Sequence, residues 1–321
     1  MRAALVTRLD GPSAVEVTDV PATSAADGQV LVDVRAVGIS FPDLLLSKGE
    51  YQVKPDLPFP LGVDFAGVVR EAPDGTGFGP GDRVACVLPY GGAMETVAVR
   101  PEGVFPLPDA LTFEQGAAIP MNYLTAQFAL AERAGLREGE TVLVHGGAGG
   151  VGTATIQVAK GYGARTIAVV STAAKAEVAT RAGADETVLV DGFRDAVREL
   201  TGGAGVDVVM DVVGGDLMTD SLRSLGTLGR LLVVGFTGGT IPEVRVNRLL
   251  LNNIDVRGVG WGAYAMARPG YMRSQWDALL PMMTSGVIAP PIGDLRPVEE
   301  VAAALTEMDE RRTLGKTVLT F

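Results

Sequence analysis

The tightest constraint on this chain is the stretch TVLVHGGAGGVGTATIQVAKGYGARTIAVVSTAAK, residues 141–175. An apolar run meets a glycine cluster, and the cluster opens directly into a helical pattern. Gly147-Ala148-Gly149-Gly150-Val151-Gly152 satisfies G-x-G-x-x-G. In a strand–turn–helix unit each glycine has a task. One makes the tight turn, one admits a pyrophosphate to the backbone, and one lets the helix lie close on the strand. The helix then offers its N-terminal N–H groups and the positive end of its dipole to the phosphates. Alone the string is a weak signal, because glycine-rich turns are common. Its surroundings strengthen it. From about residue 122, TVLVH (141–145), RTIAVV (165–170), ETVLV (186–190), VDVVMDV (206–212), RLLVVGF (230–236) and IDVRGVG (254–260) alternate with helical segments such as AAKAEVATRAGA. That alternation predicts βαβ units and an α/β fold built on a doubly wound parallel sheet.

The first 118 or so residues have a different rhythm. VLVDVRAVGI (30–39), FAGVVREA (65–72), DRVACVL (82–88) and METVAVR (94–100) are short, valine-rich and separated by turn chemistry such as PDGTGFGPGD and YGG. They predict a partly closed β-structure. At the far end, PVEEVAAALTEMDERR reads as a helix with acids early and arginines late, as the helix dipole favours. KTVLTF then reads as a strand able to return to the first domain.

The end of the second parallel strand chooses the cofactor. An acid there, about 20 residues on, accepts a hydrogen bond from the ribose 2′-OH of NAD. This chain has Ser171 at that place, 19 residues after Gly152, and Lys175 follows one helical turn later. A serine does not repel a 2′-phosphate, and a lysine pairs with one. The missing acid is the firmer half of the argument, since a lone helix lysine is usually just solvated. NADPH is the expected cofactor.

Composition excludes several classes. The formal net charge of −11 argues against a nucleic-acid partner, which usually requires a basic face. No run approaches the roughly 20 apolar residues of a membrane span. With one cysteine, Cys86, the chain cannot form an internal disulfide, which fits a reducing, cytoplasmic location. Its N-terminal sequence alternates like a strand and lacks a secretory h-region.

In these residues the chain resembles the medium-chain dehydrogenase/reductase superfamily, and within it the zinc-free quinone oxidoreductases (zeta-crystallin-like). The resemblance is carried by AVGISFPDLLLSKGEY (36–51), LGVDFAGVV (61–69), GDRV (81–84), AAIPMNYLTAQFAL (117–130), HGGAGGVG (145–152), RLLVVGF (230–236) and LGKTVL (314–319), in the family's order. It implies a GroES-like β-rich catalytic domain over 1–121, completed by 265–321. A Rossmann NADPH-binding domain over 122–264, a cleft between the two, and a homodimer are also implied. Zinc members carry a Cys where this chain has Ser40, and a His-Glu pair where it has Val63-Asp64. With one cysteine and one histidine, His145, neither zinc site of such enzymes can be assembled, so no metal is expected.

The resemblance also implies chemistry. Without zinc the acceptor must itself be electrophilic, so the expected reaction is hydride transfer from NADPH to a quinone or α,β-unsaturated carbonyl. Tyr51, in SKGEY, corresponds to a tyrosine that related enoyl-thioester reductases use to give a proton or orient substrate. A phenol stays protonated at neutral pH and can donate; a packing role at the site's edge is the other reading. Ser40 stands where many relatives carry an asparagine near nicotinamide or substrate, so it is a candidate catalytic donor with shorter reach. Thr125, in MNYLTA with Asn122 and Tyr123, reads either as lying beside the nicotinamide ribose or as helix entry and packing. The backbone at Gly235 and Phe236 is expected to close over the nicotinamide end. Lys316, in LGKTVL, reaches the cofactor or is solvated. Relatives place a tyrosine 15 residues beyond the phosphate-binding lysine; here that residue is Val190, which implies a weaker 2′-phosphate site. His145 reads as packed or near the cofactor phosphates, Cys86 as a buried small residue, and Trp261 as packing at a surface between domains or copies. Two other functions remain open at this point: a 2-enoyl thioester reductase, and a non-catalytic NADPH-binding structural or sensing protein.

Overall fold

A computed structural model describes residues 1–321. The chain divides into two compact units. The first comprises Met1–Met121, Met272–Trp276 and Ile292–Phe321, and the second Asn122–Tyr271 and Asp277–Pro291.

In the second unit the apolar runs form a six-stranded, wholly parallel sheet. Its spatial order is Glu186–Leu189, Arg165–Val170, Thr141–His145, Val206–Asp211, Leu225–Val233, Asp255–Gly258. Numbered within the unit this is 3-2-1-4-5-6, the doubly wound Rossmann order. The order reverses between Thr141–His145 and Val206–Asp211. The carboxyl ends flanking such a switch point are where these sheets bind ligands. The core forms because the strands are apolar on both faces. Leu143, Ile167, Val169, Val209 and Leu231 from the strands meet Phe193 and Val197, then Met218 and Leu222, on covering helices. Phe193 and Val197 are four residues apart on helix Phe193–Leu200 and so share one face.

In the first unit a seven-stranded sheet carries most of the valine-rich runs. Its path is Ile292–Pro297, Lys316–Thr320, Val30–Gly38, Asp64–Glu71, Arg83–Val87, Val104–Pro106, with Thr96–Val99 also paired to Val30–Gly38. Arg2–Val6 lies between Val15–Asp19 and Phe59–Pro60 in a smaller sheet. The C-terminal strand pairs antiparallel with Val30–Gly38, Val318 opposite Gly38. Trp276 is fully buried here, stacked on Phe105 with ring centroids 4.8 Å apart, and its indole N–H donates to the Pro106 carbonyl. No helix is long and apolar enough to cross a membrane.

Candidate active site

Strand Thr141–His145 ends in a turn at Gly146, where φ is 64°. The Gly149 amide closes the turn on the Gly146 carbonyl at 2.9 Å. Helix Gly150–Gly161 starts at once, with Gly149 at its N-cap and no side chain capping its first turn. Its leading N–H groups therefore stay available to an anion. Gly152 has to be glycine, because a Cβ there would run into the Gly146 carbonyl oxygen. The Asn122 amide group, 5% exposed, packs against Gly150 at the helix start. Thr125, 8% exposed, follows Asn122 by three residues on helix Pro120–Gln127 and so shares its face.

Beside this turn, strand Arg165–Val170 ends at exposed Ser171. Thr172 caps the next helix, Ala173–Arg181, its hydroxyl accepting from the Lys175 amide at 3.3 Å. Lys175 thus sits in the first turn, at the positive end of the helix dipole. A cation there opposes the dipole by about 0.3–1 kcal/mol, and a bound anion would reverse the sign.

In the first unit Ser40 and Lys316 come together, with Asp64 as the third member. Lys316 Nζ donates to Ser40 Oγ at 2.6 Å and lies 3.1 Å from Asp64 Oδ2. Ser40 Oγ donates to the same carboxylate oxygen at 2.8 Å, and the Met121 amide donates to Asp64 Oδ1 at 2.7 Å. Ser40, Asp64 and Lys316 are all buried. Gly38 makes room for the lysine stem: a Cβ there would lie 2.7 Å from Lys316 Cε. A second buried carboxylate, Asp43, accepts from the amides of Ser40 and Gly62, each at 2.9 Å. Burial pushes Asp43 up to about 6 against the pull of those amides and of Lys316. Burial also raises Asp64, with Lys316 opposing. Tyr51 is raised by burial and then by the negative field of Asp43 and Asp64, so its phenol holds its proton firmly.

By the resemblance, the metal of zinc-containing relatives would fall at Ser40 and Asp64. One hydroxyl and one carboxylate stand there, already gathered around an ammonium, and no three His, Cys, Asp or Glu side chains form a metal-binding group. The residues do not fit zinc, which takes thiolate, imidazole and carboxylate donors in a tetrahedral set.

Other sequence candidates lie elsewhere. Gly235 and Phe236 are half-buried in the loop after strand Leu225–Val233. His145 is fully buried, its Nε2 2.8 Å from Ser221 Oγ and its ring edge-on to Phe193. Cys86 is buried within strand Arg83–Val87, and burial pushes its thiol well up, away from nucleophilic use. Trp261 is buried at 3% exposure. Sequence reasoning gave no role to Asp43, although the S-x-x-D spacing of Ser40 and Asp43 is a helix-start signal. It noticed Asp64 only as a missing zinc ligand. It also passed over Asp211, which ends an apolar run just before Gly214-Gly215, a turn signal.

Residues 26–109 match the model of the alcohol dehydrogenase GroES-like domain, and residues 150–285 that of the zinc-binding dehydrogenases. Quinone oxidoreductase-like protein 2 of Bos taurus is 38% identical over 99% of this chain and 92% of that protein. The chain belongs to the quinone oxidoreductase family of the medium-chain dehydrogenases/reductases. Among solved structures, a probable oxidoreductase from Mycobacterium abscessus is 43% identical with a TM-score of 0.92, covering 100% of this chain and 99% of that one. The Escherichia coli quinone oxidoreductase complexed with NADPH is 28% identical with a TM-score of 0.89, each chain covered in full at 100%. Membership makes the protein an oxidoreductase.

Proposed function

We propose that this protein is an NADPH-dependent, zinc-independent reductase that passes hydride to a quinone or an α,β-unsaturated carbonyl. One observation carries the reading: the cation among the buried polar groups of the first unit is Lys316, fixed by Asp64 and Ser40. A fixed ammonium lends positive potential but has no open coordination position with which to polarise an unactivated carbonyl. The acceptor must therefore bring its own electrophilicity. The NADPH-complexed Escherichia coli relative supports the cofactor. So do Ser171 in place of an acid and Lys175 in a helix first turn.

When bound, NADPH supplies hydride from the nicotinamide ring. The chain's own residues do the rest. The turn 146–149 and the first amides of helix Gly150–Gly161 bind the pyrophosphate. Lys175 pairs with the 2′-phosphate. Thr125, Gly235 and Phe236 orient the nicotinamide half. Tyr51 keeps its proton at neutral pH and donates it towards the oxyanion left by the reduced acceptor, a general-acid role. Lys316 holds Ser40 in place and offsets the charge of Asp64 and Asp43.

A homodimer belongs to the same reading. Strand Asp255–Gly258 is an edge of the parallel sheet, and Ile241, Val246, Leu250 and Leu251 expose apolar side chains in the same unit at 73–78%. Unpaired edges and exposed apolar groups favour association. A reducing, cytoplasmic setting is consistent with a single, buried cysteine.

The decisive assay oxidises NADPH and NADH side by side with metal-stripped protein, using a benzoquinone and a short-chain enone. NADPH-selective turnover that survives chelation is the expected result. Turnover that requires added zinc would sink the reading.

A further inference from the structure

Strand Val206–Asp211 lies beside Thr141–His145 and ends at the same edge of the sheet. Its last residue, Asp211, is 1% exposed. Asp211 Oδ1 accepts from the amides of Val213 at 2.8 Å and Gly214 at 2.9 Å, so one carboxylate oxygen sets the shape of the turn after the strand. The turn is then used as a template. The Val212 carbonyl accepts from the Thr237 amide at 3.1 Å and the Thr237 hydroxyl at 3.0 Å. The Val213 carbonyl accepts from the Gly238 amide at 2.8 Å, and the Gly215 amide donates to the Thr240 carbonyl at 3.1 Å. The Val234 amide donates to the Asp211 carbonyl itself at 2.9 Å. Segment 234–240 is thus fastened to the 211–215 turn along its length. Gly238 fits only because it lacks a side chain: a Cβ there would lie 2.7 Å from the Val213 oxygen.

The second carboxylate oxygen, Oδ2, has no hydrogen-bond partner within the protein. Burying a carboxylate with one oxygen unsatisfied is costly, and native folds keep such groups where they serve something other than stability. Ser171 and Lys175 follow strand Arg165–Val170, which flanks Thr141–His145 on the side opposite Val206–Asp211.

We propose that Asp211 is a positioning residue: through the 211–215 turn it holds the 235–240 loop in the conformation that receives the nicotinamide half of NADPH. This rests on the reading of Gly235 and Phe236 as nicotinamide-side residues. Asp211 does not touch the cofactor; it acts through the backbone of the loop. Its loss should therefore weaken one half of the cofactor site and spare the other.

The test is titration of three variants with NADPH and with 2′,5′-ADP, which keeps the 2′-phosphate and adenosine but lacks nicotinamide. Asp211→Ala removes the acceptor of both turn amides. Gly238→Ala strains the same junction from the loop side and leaves the buried strand untouched. Asp211→Asn keeps a carbonyl oxygen for the two amides and serves as the conservative rescue. Expected for Asp211→Ala and Gly238→Ala is a roughly tenfold weaker NADPH affinity, the scale of one or two net hydrogen bonds. Affinity for 2′,5′-ADP should stay within about twofold, and Asp211→Asn should bind both ligands nearly as wild type. A general loss of structure would lower both affinities together. If wild type binds both ligands and the first two variants lose both equally, or neither, the proposal is wrong while the cofactor reading stands. A wild-type protein that binds neither ligand overturns the cofactor reading and the proposal with it.

Discussion

Replacing Lys316 by methionine keeps most of the side-chain volume and removes one buried charge. The ammonium is 4% exposed and its partner Asp64 is fully buried, with 3.1 Å between Nζ and Oδ2. After the substitution Asp64 still accepts from the Met121 amide at 2.7 Å and the Ser40 hydroxyl at 2.8 Å. Its charge, however, has lost the cation that justified burial. Breaking one side of a buried pair costs about 3–5 kcal/mol, and the two surviving hydrogen bonds place this case near the lower end. At about 2–4 °C per kcal/mol for a unit of this size, the unfolding midpoint should fall by roughly 6–12 °C. Adding Asp64→Asn to Lys316→Met should recover most of that, because the amide oxygen still serves Met121 without a charge. The pH dependence has a definite sign. Losing the ammonium moves the folded-state pKa of Asp64 further above its unfolded value near 3.8. Such a group's contribution is complete below the unfolded value and is lost as pH rises through the folded one. The deficit of Lys316→Met should therefore grow as pH rises above that unfolded value. Urea and thermal unfolding of both variants across that range measure it. A single variant no less stable than the double, or a deficit that does not change with pH, would refute the electrostatic account and leave only lost packing.

Lys175→Ala should weaken NADPH binding about 10- to 100-fold, the scale of one or two charge-assisted hydrogen bonds, and leave NADH nearly unchanged. Equal losses for the two cofactors in fluorescence titrations would remove Lys175 from the 2′-phosphate site. Tyr51→Phe should lower turnover about 100-fold with cofactor affinity kept, as loss of a general acid does; unchanged turnover with several acceptors would reduce Tyr51 to a packing residue. Asp43, with a folded value of about 6 against 3.8 unfolded, contributes stability that is full at low pH and fades as pH rises through about 6. Asp43→Asn should flatten that slope in urea unfolding between about pH 4 and pH 7, and a slope identical to wild type would show that Asp43 is not its source.

Local signals in the chain predicted most of the fold. TVLVH and RTIAVV coincide with strands Thr141–His145 and Arg165–Val170, because apolar runs bounded by glycine or a helix cap leave little choice of boundary. RLLVVGF did worse. The strand it marks begins at Leu225, absorbs an irregularity with Leu228 at a φ of 65°, and stops at Val233. Periodicity cannot register a bulge, and it cannot register that Val234 turns away to bond the Asp211 carbonyl. Both departures are decisions made by a neighbouring strand.

The candidate site divides along the same line. The glycine turn was legible because its tightest approach, Gly152 against the Gly146 carbonyl, is closed by residues a few positions apart. The Ser40–Asp64–Lys316 cluster was not, since its members lie 24, 252 and 276 positions apart and meet only after the C-terminal strand has paired with Val30–Gly38. In KTVLT the four residues Lys316 to Leu319 are all buried, so this strand has no solvent face to which a lysine could turn. A lysine opening such a strand must either be at the rim or have a buried acid as partner. The first unit contains two buried carboxylates, Asp43 and Asp64, and Gly38 beside the lysine stem leaves the passage clear. A lysine in a strand buried along most of its length needs a buried partner, and here that partner is Asp64, held together with Ser40.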